Sequence, residues 1–515
     1  MTSMKNVRTM ALAGTLGVLA AATACSRDLT IPNLNNPDQA KALNNPGDVR
    51  NVIGGAMGPY WNESQEPEDI GLSVTADEAT GNFGNFSMRF NQQQPRIPYN
   101  NAPGNTDEKT ALNPWQGFYG AIGSANDGIR AIKNGVKLNL EGSDQTAAYN
   151  DLADFVWAGS VSELAMIFDK AFIPSDQADP VALTLRPYTE VRDSALARFD
   201  KVIASATGKT YTILPQYVED LGGGSLTGDK IAKYANSLAA RTISQTSRNA
   251  AQNTAANWAR VLSYAEKGIS TSTTAPGLDY SLTVTSSNPF GNVYTAYMNT
   301  DSWTRVDFRV IRAMDPTQPV QMTSTQLPPK ATSPDARLGT DFGYRGNTIG
   351  DPTRGFYMLS PWAYQRYLYM ARGQPNAFLG LTPNMLATEN DLLIAEALIR
   401  TGGNLQRAAD MINKTHVGRG KLPPVTIAGV PQSADCLPRN AAGACGSLLD
   451  AVMYERLLEL YGTNVVVGWG DARRFDVMFP GSPRSLPVPG KELGTLRLAN
   501  YSCGGIGTDC ADPVP

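Results

Sequence analysis

The chain is expected to be mainly α-helical, built from stacked pairs of helices with a loop-rich face and few short strands. Five runs carry apolar residues at helical spacing, with many alanines where helices would touch. A Ser/Thr-rich stretch of about a hundred residues then interrupts the pattern, and helical spacing returns after it. Charged residues make up only 18% of the 515-residue chain, with 48 Gly and 34 Pro, against roughly 25% charged in ordinary globular proteins. That balance fits a globular body carrying long loops. A net charge of -3 argues against a nucleic-acid partner, which would need a basic face.

The N-terminus comes first. Lys5 and Arg8 precede an apolar run from Met10 to Ala22, the make-up of an export signal. That run is shorter than the roughly 20 apolar residues a membrane-spanning helix wants. It closes on Ala22, Thr23, Ala24 and Cys25, which resembles a bacterial lipoprotein box with a weak first position. Cys25 is the expected lipidation site, and a signal cut just before or near it without lipid is the alternative. The other cysteines fall into two close couples, Cys436 with Cys445 and Cys503 with Cys510, which suits loop disulfides in an oxidising compartment. Neither couple has C-x-x-C spacing. With His416 the only histidine, a zinc site would need an unusual ligand set. No cofactor or metal is expected.

From Ser26 to Pro46 the Asn- and Pro-rich chain predicts an extended tether. "NPWQGFYGAIGSANDGIRAI" places Trp115, Phe118, Tyr119, Ile122, Ile129 and Ile132 near one helical face, with small residues that permit close approach. "DLADFVWAGSVSELAMIFDKAF" repeats the pattern with Phe155, Val156, Leu164 and Phe168, and three more helical runs follow up to Ile269. No fixed period of the tetratricopeptide kind joins them, because the spacing drifts. Tyr280 to Val284 alternates as a strand would, and the stretch to about Thr382 is mostly loop. In "TENDLLIAEALIRTGG", Thr388 and Asp391 match a capping box and Gly402 with Gly403 a C-terminal stop. In "LLDAVMYERLLELYG", Met453, Leu457, Leu460 and Tyr461 share a face and Gly462 ends the run.

The later segments resemble the SusD/RagB family. "LLIAEALIRTGGNLQRAADMINKTHVGRGKLPPV" is similar to that family's Ala-Glu-Ala helix, Ile-Asn-x-x-Arg helix and Leu-Pro-Pro turn. "YERLLELYG", "WGDARRFD" and "LPVPGKEL" resemble its closing signature, and "SPDAR" lies where it has an Asp-Pro-Arg turn. Upstream, "NPWQGFYGAIGSANDGI", "YTEVRDSALARFDKVI" and "KYANSLAARTI" are similar to its N-terminal helices. The order and spacing agree over nearly all of the chain beyond Cys25. The departures are Ile394 for an arginine, Thr415 and His416 for Val-Arg, and "GTNVVVG" for Glu-Gly-x-Arg.

The resemblance implies a SusD-like fold whose helix pairs resemble tetratricopeptide repeats, and a division of the chain. Residues 1–24 would be the lipoprotein signal peptide and 25–46 the tether. Residues 47–330 would form an N-terminal helical region, and 331–515 a C-terminal region packed on the same body. It implies a surface-exposed lipoprotein of the bacterial outer membrane that captures an oligosaccharide, or a peptide, without catalysis. Its partner would be a SusC/RagA-type TonB-dependent transporter, over which it acts as a lid.

Competing chemistry finds little support in the residues. No G-x-S-x-G is present. "ATGKT" ends like a P-loop but has Ile203 where the motif needs glycine, so Gly208 is expected to stop a helix. Glu455 and Glu459, one helical turn apart, offer the carboxylate pair a glycoside hydrolase would use, but fit salt bridging better; Asp471 and Arg473 are expected to form an ion pair. A periplasmic solute receptor would alternate strands with helices, and this chain does not. A helical scaffold that binds no small molecule is the remaining alternative.

Sugar recognition needs flat apolar rings for pyranose C–H faces, beside polar groups for hydroxyls. The candidates are Phe83, Phe86 and Tyr99 in the loop "EATGNFGNFSMRFNQQQPRIPYNN", with Trp303 and Tyr344. Trp115, Trp157 and Trp258 lie in helical patterns and are expected in the core. His416, at a helix end, is expected to cap or to be buried.

Overall fold

The computed structural model describes residues 43–177, 182–218, 221, 224–270, 278–288, 290–300, 303–368, 370 and 378–505. Cys25 and the signal run lie outside them, as do tether residues 25–42 and Cys510. The fold is mainly α with few short strands, as the sequence predicts.

Helices follow one another as packed neighbours. Lys109–Lys133 packs on Thr146–Ile167, which packs on Tyr188–Ala206, then Gly228–Gln245, Trp258–Ala265 and Ala387–Arg400 in succession. Leu405–His416 and Leu448–Glu459 close the series against Ala387–Arg400. Thr146–Ile167 is apolar around nearly its whole circumference, so it is buried on nearly every side, with Phe155, Val156 and Leu164 fully enclosed. The small residues act as predicted. A Cβ on Gly128 would sit 2.1 Å from Ile53 of the helix Pro46–Gly55, and one on Gly159 2.5 Å from the Tyr60 hydroxyl. Side chains there would push the layers apart and forfeit contact along both.

Trp115, Trp157 and Trp258 are each 3% exposed, in the core as expected. Gly208 at φ +71° follows the helix Tyr188–Ala206, and Gly402 at φ +65° and Gly462 at φ +64° follow two later helices. Tyr280–Val284 pairs antiparallel with Gly380–Met385.

The helix starts correct one expectation. Ala387–Arg400 begins behind Leu386 with no side-chain cap of its own, and Thr388 Oγ1 has no partner. Asp279, from the residues before the strand, accepts from Ala387 N at 2.7 Å and takes the capping role. Asp391 instead takes Ser270 Oγ and, at 3.1 Å, Lys414 Nζ. The capping box occurs at Ser447 and Asp450. On that helix Met453 and Leu457 are only half-buried, while Leu460 and Tyr461 are enclosed, so the apolar face splits between core and surface.

Candidate functional site

Three of the predicted loop aromatics come together. Phe83 and Trp303 meet edge to face with ring centres 5.6 Å apart, and Phe86 lies 5.8 Å from the same indole. Tyr297 joins at 5.6 Å from Phe86 and 6.1 Å from Trp303, and Phe378 adds a fifth ring 5.2 Å from Tyr297. All five are only partly buried, and next to Phe378 the side chains of Leu379 and Leu381 are exposed. Offset and edge-to-face packing fixes each ring while leaving apolar surface to solvent.

The backbone beneath the patch is braced. Ala79–Thr80 pairs with Arg305–Val306, holding the Phe83 loop beside Trp303. Asn82 Nδ2 donates to Asp351 O at 2.6 Å, Asp351 N returns a bond at 3.0 Å, and Arg354 Nη1 donates to Asn82 O at 2.8 Å. Phe86 and Ser87 both adopt left-handed φ, 56° and 55°, which is unfavourable for a bulky residue and persists only where its surroundings impose it. Tyr297 rides on the short helix Val293–Met298, where Tyr294 N donates to Gln65 O at 2.8 Å and its hydroxyl meets Ser73 Oγ at 2.8 Å. Tyr297 and Phe378 join the patch although neither is among the residues its loop composition predicts. A tyrosine six residues before Trp303 was a weak cue, and nothing local marked Phe378.

Beside this loop lies a cleft of about 290 Å³ lined by Gln92, Gln94, Gln321, Asp307 and Tyr357. Gln94 N donates to the Tyr357 hydroxyl at 3.2 Å. Burial, reinforced by the nearby Asp77 charge, pushes Asp307 up to about 8. Gln92 is buried and committed, its Oε1 accepting from Thr80 Oγ1 and Gly81 N and its Nε2 donating to Asp307, so the half-buried Gln94 and Gln321 amides are the ones that offer donors and acceptors of the kind sugar hydroxyls take.

Two loop candidates stand apart. Tyr99 is 4% exposed, its hydroxyl donates to Asp107 O at 2.8 Å and its N–H to Cys503 O. That ring is part of the packing, which corrects its expected place on a ligand face. Tyr344 is half-buried against Trp362, 5.1 Å between centres, and its hydroxyl donates to Pro328 O at 2.9 Å. It pins its own loop, and among the described residues no ring contact links it to the patch.

The charged candidates are locked in the interior. Arg337, from the "SPDAR" turn, reaches both Glu455 oxygens at 2.7 and 3.0 Å, Glu459 at 3.1 Å and Asp335 at 2.7 Å. Arg366 and Arg419 complete the shell of Glu459 at 3.0 and 2.8 Å. Burial alone would raise the Glu455 carboxyl, but Arg337 and His416 outweigh it and hold it down at about 2. His416 is fully buried with Nδ1 2.9 Å from Glu455 Oε1. Asp471 corrects another expectation: it pairs with Arg456 and Arg474, each at 2.7 Å, while Arg473 donates to the carbonyls of Met166, Gln245 and Arg484. On a helix, residues three apart share a face and residues two apart do not. Arg474 also grips Glu396 of the Ala-Glu-Ala helix at 2.8 Å through both oxygens.

Cys436 and Cys445 form a disulfide closing the loop between them. Cys503 is also disulfide-bonded; its expected partner Cys510 is outside the described residues. Among the described residues no group of three His, Cys, Asp or Glu is placed to hold a metal ion, and no helix is long and apolar enough to cross a membrane.

No family model matches the sequence, and no curated protein matches it. Solved structures do. A SusD superfamily protein from Parabacteroides distasonis aligns with a TM-score of 0.60 at 13% identity, over 88% of this chain and 98% of that one. A SusD-like carbohydrate-binding protein from Bacteroides fragilis aligns at 0.56 and 14%, over 84% and 88%. Surface glycan-binding protein A from Bacteroides uniformis aligns at 0.54 and 14%, over 81% and 86%. The chain therefore has the fold of the SusD superfamily.

Proposed function

We propose that this chain is a nutrient-binding lipoprotein of the bacterial outer membrane, anchored through Cys25, that captures an oligosaccharide on the Phe83–Phe86–Trp303 patch. The single observation that carries this reading is the braced, half-exposed group of five rings on a loop face, beside an amide-lined cleft. Rings of that kind cover sugar C–H faces, while the amides answer hydroxyls. The fold shared with a SusD-like carbohydrate-binding protein and a surface glycan-binding protein supports the ligand class.

The reading extends to delivery. The protein acts as the lid of a SusC/RagA-type TonB-dependent transporter, and residues 25–46 serve as the tether on which it swings. A lipid hook beside the barrel raises the local concentration of lid, so modest contacts suffice. Residues 47–330 and 331–515 form one helical body, which performs no catalysis; the carboxylates Glu455 and Glu459 are committed to arginines and unavailable to a glycosidic bond.

The test is mild detergent extraction of outer membranes followed by affinity purification of this protein. A large barrel protein is expected in fixed ratio, and mass spectrometry is expected to find Cys25 acylated at the mature N-terminus. Free, unacylated protein with no barrel would contradict the reading.

A further inference from the structure

The half-exposed side of Leu448–Glu459 faces a second cavity, about 250 Å³, that shares no lining residue with the aromatic patch. Its apolar wall is formed by Met453, Leu457, Val467 and Phe475. Four arginines line the same space: Arg309 and Arg312 from the helix Phe308–Met314, Arg439 from the disulfide-closed loop, and the buried Arg456 from Leu448–Glu459.

These cations are poorly matched. Among the described residues only Arg456 has a carboxylate within ion-pair distance, Asp471 at 2.7 Å from Nε. Its Nη1 and Nη2 meet no acceptor, although the side chain is fully buried. Arg312 Nη1 donates to the Gln318 carbonyl, and Arg439 donates to the carbonyls of Gly443 and Ala434, so neither is neutralised by an acid. Arg309 differs, lying in the field of Asp77, Asp307 and Glu78. Of the acids that line the cavity, Asp471 is taken by Arg456, Arg474 and Gln245, while Asp450 accepts from the Ser447 N–H and hydroxyl and remains one carboxylate beside four guanidiniums. Burial pushes the Glu78 carboxyl up to about 7, and its Oε1 accepts from Gly462 N.

A buried donor without an acceptor is costly, and a guanidinium fork matches a carboxylate in shape and charge. We infer that this cavity is a second binding site, for a small organic carboxylate whose anionic end meets Arg312, Arg439 and Arg456 and whose short apolar chain lies along Met453, Leu457, Val467 and Phe475. The apolar wall disfavours a bare inorganic anion, which would leave that surface wet. The site shares none of the five rings but adjoins the amide-lined cleft, with which it has Arg309, Arg312 and Val477 in common, so Leu457→Trp and Arg439→Gln, which lie outside that cleft, separate this inference from the glycan reading.

The experiment is calorimetric titration of the full mature protein with hexanoate, hexan-1-ol and hexylammonium at constant ionic strength. Hexanoate is expected to bind saturably, with the alcohol and the amine at least about tenfold weaker, the discrimination that charge-assisted hydrogen bonds provide. Leu457→Trp fills the space from a half-exposed position and is expected to abolish hexanoate binding with the melting temperature unchanged. Arg312→Gln and Arg439→Gln, at rim positions, are each expected to weaken it about fivefold to tenfold. Equal binding of hexanol and hexanoate would overturn the inference. So would undiminished hexanoate binding by Leu457→Trp or by both arginine variants, or no saturation up to roughly 10 mM, a concentration at which even a site of millimolar affinity fills.

Discussion

In the helical body, Arg337, Glu455 and Glu459 are completely enclosed and each formal charge faces an opposite one. On the loop face, Phe83, Phe86 and Trp303 keep part of each ring in solvent although they have partners enough to bury it. A third region sharpens the contrast. The turn Glu63, Glu66, Glu68 and Asp69 gathers four carboxyls without an ion pair among the described residues; oxygens of Glu63, Glu68 and Asp69 are buried without a partner. The contrast separates what is enclosed from what the molecule presents: matched charges lie between the helices, and partly exposed rings lie on the loop face.

The largest effect is expected where matching is most complete. Arg337→Met strips two glutamates and Asp335 of their central cation, and unfolding free energy is expected to fall by about 3–5 kcal/mol in denaturant titration. A loss below about 1 kcal/mol would show that the lattice is not what stabilises the helix ends. Trp303→Ala is expected to do the reverse: about 1.5–3 kcal/mol of glycan affinity lost, with the melting temperature moving only a few degrees.

The two carboxylate regions should also respond to pH in opposite senses. Glu455, held at about 2 against an ordinary 4.5, contributes stability that is present above about 4.5 and lost as pH falls towards 2. In the acidic turn, burial and the neighbouring acids push Glu63 up to about 8 and Glu66 to about 7, and Asp69 well above its ordinary range. Between 4.5 and 8 the folded turn keeps protons that the unfolded chain releases, so stability falls as pH rises through that window. Melting temperature is therefore expected to peak on the acid side of neutrality. Glu63→Gln is expected to flatten the alkaline limb and to add on the order of 1 kcal/mol at pH 8, discounted for the solvent reach of that side chain. A variant with an unchanged pH profile would remove the acidic turn from the account.

How much of this was legible follows from the same contrast. The helices showed in the 3.6-residue spacing, and the motifs in "SPDAR", "YERLLEL", "LLIAEAL" and "WGDARR" proved to be one connected set, because Arg337 binds Glu455 across 118 residues, Arg456 binds Asp471, and Arg474 binds Glu396 across 78. Sequence resemblance was strongest where the scaffold is most constrained, and it said least about the loop face. Phe83, Phe86 and Trp303 were found by composition alone. Tyr99 looked identical in that respect, and only its bond to Asp107 O and the closure of residues 99 and 503 reveal it as packing. Tyr297 was hidden by its helix, Phe378 by lying 81 residues beyond its neighbour Tyr297. The capping of Ala387 by Asp279 was invisible because a tertiary contact displaced a local motif.

The central claim is that the half-exposed rings bind glycan, and calorimetric titration of oligosaccharides into wild-type protein and the Phe86→Ala/Trp303→Ala double variant tests it most directly. Saturable binding of at least one oligosaccharide is expected, falling by at least about tenfold in a double variant that stays folded. Undiminished binding by that variant would contradict the claim.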